Sequence, residues 1–128
     1  MSNPKLFLVS GGSGGIGAAT CDALAVAGFI PVVGYHRGEA AADEVARRTG
    51  GLSLALDLGS DASIDQAIIQ LAGHEVSLAG AVLAGSPPLT LAPFGQISPA
   101  DLQSQWQINV LGPQRLLAGL PNLPVCRD

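Results

Sequence analysis

The chain is expected to be an α/β protein, a doubly wound parallel sheet in a single domain, and three observations point there. Short apolar runs alternate with stretches of helical apolar spacing in the order βαβαβαβα, the pattern of a parallel sheet with right-handed crossovers and helices on both faces. The strand candidates are continuous apolar runs, as strands buried on both faces should be. A glycine-dense turn, "SGGSGGIG" (10–17), joins the first strand to the first helix. At 128 residues there is room for one domain with a true core.

Lys5 to Ser10 is the first buried strand. "IGAATCDALAVA", Ile16 to Ala27, is the first helix, with Ile16, Thr20, Leu24 and Ala27 as its apolar positions and Gly28 as its stop. "FIPVVGY" is the second strand, and Pro31, which cannot donate to a ladder, is expected at its first position. Glu39 to Thr49 is the second helix, closed by Gly50 and Gly51, and "LSLALD" is the third strand. Ser60 and Asp61 offer caps to a third helix carrying Ile64, Ala67, Ile68 and Leu71, an i, i+3, i+4, i+7 face. "VSLAGAVLAG" is the fourth strand. After a Pro-rich loop, "SPAD" supplies an N-cap in Ser98, a proline at N1 and an acid at N3. These open a long helix to about Leu120, which Pro113 should kink. "PVCR" near the end reads as the stub of a fifth strand.

Composition narrows the function classes. A hydrophobic fraction of 48% is too high for a disordered chain, and a charged fraction of 12% suggests a surface partly covered by another chain. The net charge is −4 and the only adjacent basic residues are Arg47 and Arg48, which argues against nucleic acid as a partner. Glycine and proline break every apolar run well short of the roughly 20 residues a membrane span needs. "KLFLVS" is too short for a secretory core. Cys21 and Cys126 have no metal-ligand spacing, so no metal site is expected; Cys21 reads as a packing residue, and the reducing cytoplasm is the natural compartment.

A strand that runs through glycines into a helix makes an anion site, because free amides and the helix dipole both face the turn. Two registers compete: Gly12, Gly14, Gly17 as G-x-G-x-x-G, and Gly11, Gly15, Gly17 as G-x-x-x-G-x-G. Either is a Rossmann-like nucleotide cradle, and no G-K-[ST] follows to make a P-loop. The second strand ends "GYHRG", with no acid to hold a ribose 2′-hydroxyl. Arg37 stands there instead, where a guanidinium can pair with a 2′-phosphate; NADP(H) is therefore expected over NAD(H). The plainer reading makes Arg37 a solvated start to the second helix. His36 and His74 read as exposed or structural neighbours.

Taken together these residues resemble the N-terminal, cofactor-binding half of the short-chain dehydrogenase/reductase family. Ser10-Gly11…Gly15-Ile16-Gly17 is similar to the family's T-G-x-x-x-G-I-G, with Ser13 inside the turn, and this favours the second glycine register. Asp57-Leu58 resembles its adenine-binding Asp-Leu/Val pair, and Ala84-Gly85 the end of its N-N-A-G, here with Val82 and Leu83 in place of the asparagines. Asn109 in "NVLG" resembles its helix-four Asn-x-x-Gly, which in the family helps to place a water beside the catalytic lysine. The resemblance implies hydride transfer between NADP(H) and a carbonyl or alcohol. It also implies a Tyr-x-x-x-Lys pair, which this chain lacks: its one tyrosine is Tyr35 and no such spacing occurs. The expectation is a family member truncated after the fourth helix, inactive alone, with strand four and helix four left as an apolar face for a second copy or a complementing chain. The alternative is a non-catalytic nucleotide-binding or dimerising interaction module.

Overall fold

The structure, a computed structural model, describes residues 4–74 and 77–120. The expected stub "PVCR" and Cys126 lie outside the described residues. Four strands, β1 (Leu6–Ser10), β2 (Ile30–Tyr35), β3 (Leu52–Ala55) and β4 (Leu78–Leu83), form one parallel sheet in the order β3-β2-β1-β4. Helices α1 (Gly15–Val26), α2 (Glu39–Thr49) and α3 (Asp61–Ala72) alternate with them. After β4 come α4 (Pro99–Trp106), a π-helical turn (Gln107–Leu111) and α5 (Gly112–Gly119).

Alternating side chains on the central strands feed two cores. Val9 and Val33 pack with Cys21 of α1 and Ala42, Val45 and Ala46 of α2. Leu6, Leu8 and Val32 pack on the opposite face with Ile64, Ala67 and Leu71 of α3 and Leu116 of α5. This is the Rossmann-like doubly wound arrangement expected from the order of elements. Two bidentate ion pairs clamp helices on the same face: Arg48 to Asp22 at 3.0 Å between α2 and α1, and Arg115 to Asp65 at 2.8 and 2.9 Å between α5 and α3. The guanidinium in each pair holds its carboxyl below the usual range.

The caps follow local chemistry. Gly28, at φ +92°, ends α1: its N–H reaches the Ala25 carbonyl and the Phe29 N–H reaches that of Leu24, which is a Schellman ending. Gly50, at φ +69°, ends α2, with its own N–H and that of Gly51 both on the Ala46 carbonyl. Ser60 accepts from the Ser63 N–H and Ser98 from the Asp101 N–H, so both expected N-caps form.

Four expectations need correction. Of the positions expected to face the core from α1, Leu24 packs against it, but Ile16, at 79% exposed, and Ala27 do not, and the fully buried residues are Gly17 and Cys21. Small side chains win that face because α1 must lie close to the glycine turn, where the Cys21 Sγ comes within 4.0 Å of the Gly12 carbonyl. Burial pushes the Cys21 thiol up, in keeping with packing rather than reactivity. Pro31 is the second residue of β2, not the first. It is tolerated because its neighbour Ile30 donates to Lys5 of the β1 side, so the missing Pro31 donor faces β3, which begins only opposite Val32. The third and fourth strands are shorter than the apolar runs that mark them, and among the described residues both are sheet edges with partly exposed faces. The long final helix is interrupted: a π turn fills the place of the expected kink. Pro113 has no N–H for the Asn109 carbonyl and its ring crowds that carbonyl, so the helix widens by one residue there.

Candidate nucleotide site

The strand order reverses direction between β1 and β4, and in open α/β sheets ligands bind outside the carboxyl ends of the strands at such a point. Here Gly11 follows β1 at φ +65°, a conformation that disfavours any side chain. A Cβ on Gly11 would lie 2.6 Å from the Gly85 Cα, so the turn after β1 and the segment after β4 touch backbone to backbone. The Ala84 N–H donates to the Ser10 carbonyl at 3.1 Å and the Gly85 N–H to the buried Ser10 Oγ at 3.4 Å. Val82 and Leu83, standing where the family has asparagines, do not disturb this junction: Val82 packs into the α1/α2 core.

The glycines of the turn divide by what they meet. Gly17 lies under the turn, and a Cβ there would strike the Gly11 carbonyl. Gly12 lies against Val33, where a Cβ would come 2.9 Å from Cγ1. Gly14 caps α1 and Gly15 is its first residue. Around Gly15 a Cβ would meet nothing within 4 Å, and it adopts no left-handed backbone. Gly11 and Gly17 thus pack against each other, and Gly12 packs against the sheet.

Two adjoining cavities meet over this turn. The first is lined by Gly11, Ser13, Gly15, Ile16, Gly17, Arg37, Ala84 and Gly85, among others. Ser13 and the loop after β2 are neighbours, since a Cβ on Gly38 would sit 3.0 Å from the Ser13 Oγ. The second cavity is lined by Ser10, Asp57, Leu58, Gly85 and Ile108. Asp57 is held there from three sides. Its N–H donates to Ser63 Oγ at 2.9 Å, its Oδ1 accepts from the Gly59 N–H at 2.9 Å, and its Oδ2 lies 3.2 Å from His36 Nε2.

The π turn supports the second cavity from below. Ile108 lines it, Gln107 Nε2 donates to the Leu58 carbonyl at 3.1 Å and to Asp61 Oδ1 at 3.2 Å, and Gly112 packs against the Leu58 carbonyl. The glycine of Asn-x-x-Gly therefore has a packing role. Asn109 is exposed, gives its Nδ2 to Gln105 Oε1 at 3.1 Å, and lines neither cavity. The residues expected to bind the cofactor each line one or both cavities, whereas Asn109, expected beside the catalytic centre, lines neither.

His36 is exposed, as expected, but the sequence did not show that it lines both cavities and pairs with Asp57. The signal was its place beside Arg37 at the end of β2; the pairing with a residue after β3 had no local mark.

The first-turn amides of α1 face open space at Gly15, the kind of helix end that attracts an anion, with Ser13 and Arg37 lining the same cavity and Asp57 the adjoining one. Among the described residues no helix is long and apolar enough to cross a membrane.

The short chain dehydrogenase family model matches residues 5–122. No curated protein matches the chain. Among solved structures, one described as a ribose-5-phosphate isomerase from Brucella melitensis is 28% identical, with TM-score 0.83 over 92% of this chain and 46% of its own. A Serratia marcescens short-chain dehydrogenase/reductase mutant is 29% identical, with TM-score 0.77 over 91% of this chain and 51% of its own. BdcA in complex with NADPH shares the fold at 18% identity, with TM-score 0.75 over 93% of this chain and 46% of its own. The chain thus spans about half the length of these structures. With the family model matched across almost all of it, the chain belongs to the short chain dehydrogenase family.

Proposed function

We propose that this chain binds NADP(H), in preference to NAD(H), as the cofactor-binding part of an oxidoreductase. One observation carries the reading: Gly15 has no packing or backbone reason of its own to be glycine, yet it opens onto the cavity that Arg37 and Ser13 line. Close backbone approach to a phosphate is the reason that remains. In this reading the first-turn amides of α1 hold the pyrophosphate, Arg37 and Ser13 take the ribose 2′-phosphate, and Asp57 accepts from the adenine amino group beside Leu58. Ile16, exposed at the mouth, and Ala84-Gly85 border the path towards the nicotinamide end. No acid ends β2 to hold a free 2′-hydroxyl.

Arg37→Asp tests it. Affinity for adenosine 2′,5′-bisphosphate, read by calorimetry, is expected to fall by roughly 10- to 100-fold, the worth of a charge-assisted hydrogen bond turned to repulsion. Affinity for 5′-AMP stays within about twofold, since only the 2′-phosphate contact is lost. Equal losses for both ligands would remove Arg37 from the 2′-phosphate.

NADP(H), when bound, supplies or accepts a hydride. The 128 residues hold one tyrosine, Tyr35, and no Tyr-x-x-x-Lys, so the chain by itself is expected to bind the cofactor without efficient turnover. Losing a placed general acid costs roughly 10²–10⁴-fold in rate. Steady reduction of NADP⁺ by the 128-residue chain across a panel of alcohols would refute this.

A second reading rests on the surface of α4. Leu102, Trp106 and Leu111 form an exposed apolar face, and among the described residues β4 is a sheet edge. A homodimer or a complementing chain would cover both. Trp106→Glu is then expected to weaken self-association at least roughly tenfold, as removal of a buried aromatic anchor does. Light scattering that finds the same mass for both proteins at every concentration rules out this contact.

A further inference from the structure

Two glutamines of the widened final helix reach opposite walls of the cavity that Asp57 lines. Gln107 donates its Nε2 to the Leu58 carbonyl at 3.1 Å and to Asp61 Oδ1 at 3.2 Å, on the side after β3. Gln105 donates its Nε2 to the Pro88 carbonyl at 3.3 Å, on the side after β4. Leu58 and Pro88 both line the cavity. Residues two apart on a helix point about 200° apart around its axis, and the next position comes round between them. Ile108 holds that position and lines the same cavity.

Both amides are oriented by their partners. Gln107 faces a carbonyl and a carboxylate, which only its NH2 group can serve. Gln105 receives the Asn109 Nδ2 on its Oε1 at 3.1 Å, so its own NH2 is turned to Pro88. The wall after β4 depends on this contact. Among the described residues it is the one hydrogen bond that ties the stretch between Gly85 and Ser98 to another element. Pro87 and Pro88 have fixed φ, so a hold on one carbonyl also fixes Ser86 and Pro87, which line the cavity. On the other wall, the Leu58 carbonyl adjoins Asp57, whose Oδ1 accepts from the Gly59 N–H at 2.9 Å. Loss of Gln107 frees the peptide next to that carboxylate.

We propose that Gln105 and Gln107 are positioning residues that set the separation of the two walls and so select the base of the nucleotide. With both in place the 6-amino group of adenine meets Asp57; without either, the base is free to move off it. This rests on the NADP(H) reading above. It adds to that reading a source of base selectivity in two residues that do not themselves line the cavity.

The test is the affinity for NADP⁺ relative to its hypoxanthine analogue, in which oxygen replaces the 6-amino group, read by calorimetry. Wild type, Gln105→Met, Gln107→Met and Gln107→Lys are compared below their unfolding transitions. Met keeps the length of the side chain and removes the donor. Lys keeps a donor for both the Leu58 carbonyl and Asp61. Wild type is expected to prefer NADP⁺. Each Met variant should narrow that preference by about three- to tenfold, the worth of one hydrogen bond. Gln107→Lys should hold it within about twofold. A side chain that served only the fold would move the unfolding midpoint and leave the ratio alone, because the ratio compares two ligands on the same folded protein. Equal ratios in all four proteins, with NADP⁺ preferred, overturn the role of the glutamines and leave the NADP(H) reading standing. A Gln107→Lys protein that loses the preference as Gln107→Met does overturns the role of the Gln107 hydrogen bonds. Wild-type binding of both ligands alike overturns the base selection, and binding of neither overturns the NADP(H) reading with it.

Discussion

Replacing Gly17 with alanine is expected to cost about 3 kcal/mol of stability, the upper end of what an unaccommodated methyl does in a packed site. The new Cβ would strike the Gly11 carbonyl oxygen, 2.7 Å from its carbon and 2.8 Å from the Gly12 Cα, and all three are backbone atoms. None can give way. Gly11 is held at φ +65° with its own Cα against Gly85, and the Gly12 N–H is bonded to the Gly34 carbonyl at 2.9 Å. Relief would need α1 to move off the sheet, breaking the packing of Cys21 against the Val9 and Val33 layer. Domains are stable by only about 5–15 kcal/mol, so the loss is a large share of the total. The midpoint of urea unfolding should drop sharply. A midpoint equal to that of the wild type would show that the turn yields, and with it that the Gly11–Gly17 contact does not fix the cradle.

The features legible in the sequence are those set by neighbours along the chain. Ser98 with Pro99 and Asp101 named a helix start, Gly28 and Gly50 named helix ends, and each works through atoms a few residues away. The family was legible for a different reason: the glycine turn, Asp57, Ala84-Gly85 and Asn109 fall in the order of one family's motifs, and that family's model matches residues 5–122. The face of α1 was not legible, because glycines and alanines along it leave periodicity little to act on. The choice fell to the residues small enough to approach the turn. Pro113 announced a disturbance without its form, since a kink and a π turn both relieve the same clash. The His36–Asp57 pair joins the ends of two parallel strands, and such pairing follows from sheet order rather than from spacing.

Gly15 offers the sharper test of function, because there stability and binding are expected to move in opposite directions. Gly15→Asp places a carboxylate in the first turn of α1, where nothing in the protein opposes a Cβ. An acid at that end favours the helix dipole by about 0.3–1 kcal/mol, and removing a glycine from a helix adds roughly 0.5–1 kcal/mol. The fold should therefore be as stable as before, or more so, by thermal unfolding. The same carboxylate occupies the field that a phosphate would use and repels it. Affinity for NADP⁺ should fall by at least roughly 100-fold, equivalent to about 2.7 kcal/mol. A general disturbance of the turn would lower both quantities together. Retained NADP⁺ affinity within about threefold would put the pyrophosphate elsewhere, since no anion can share that helix end with a fixed carboxylate at so small a cost.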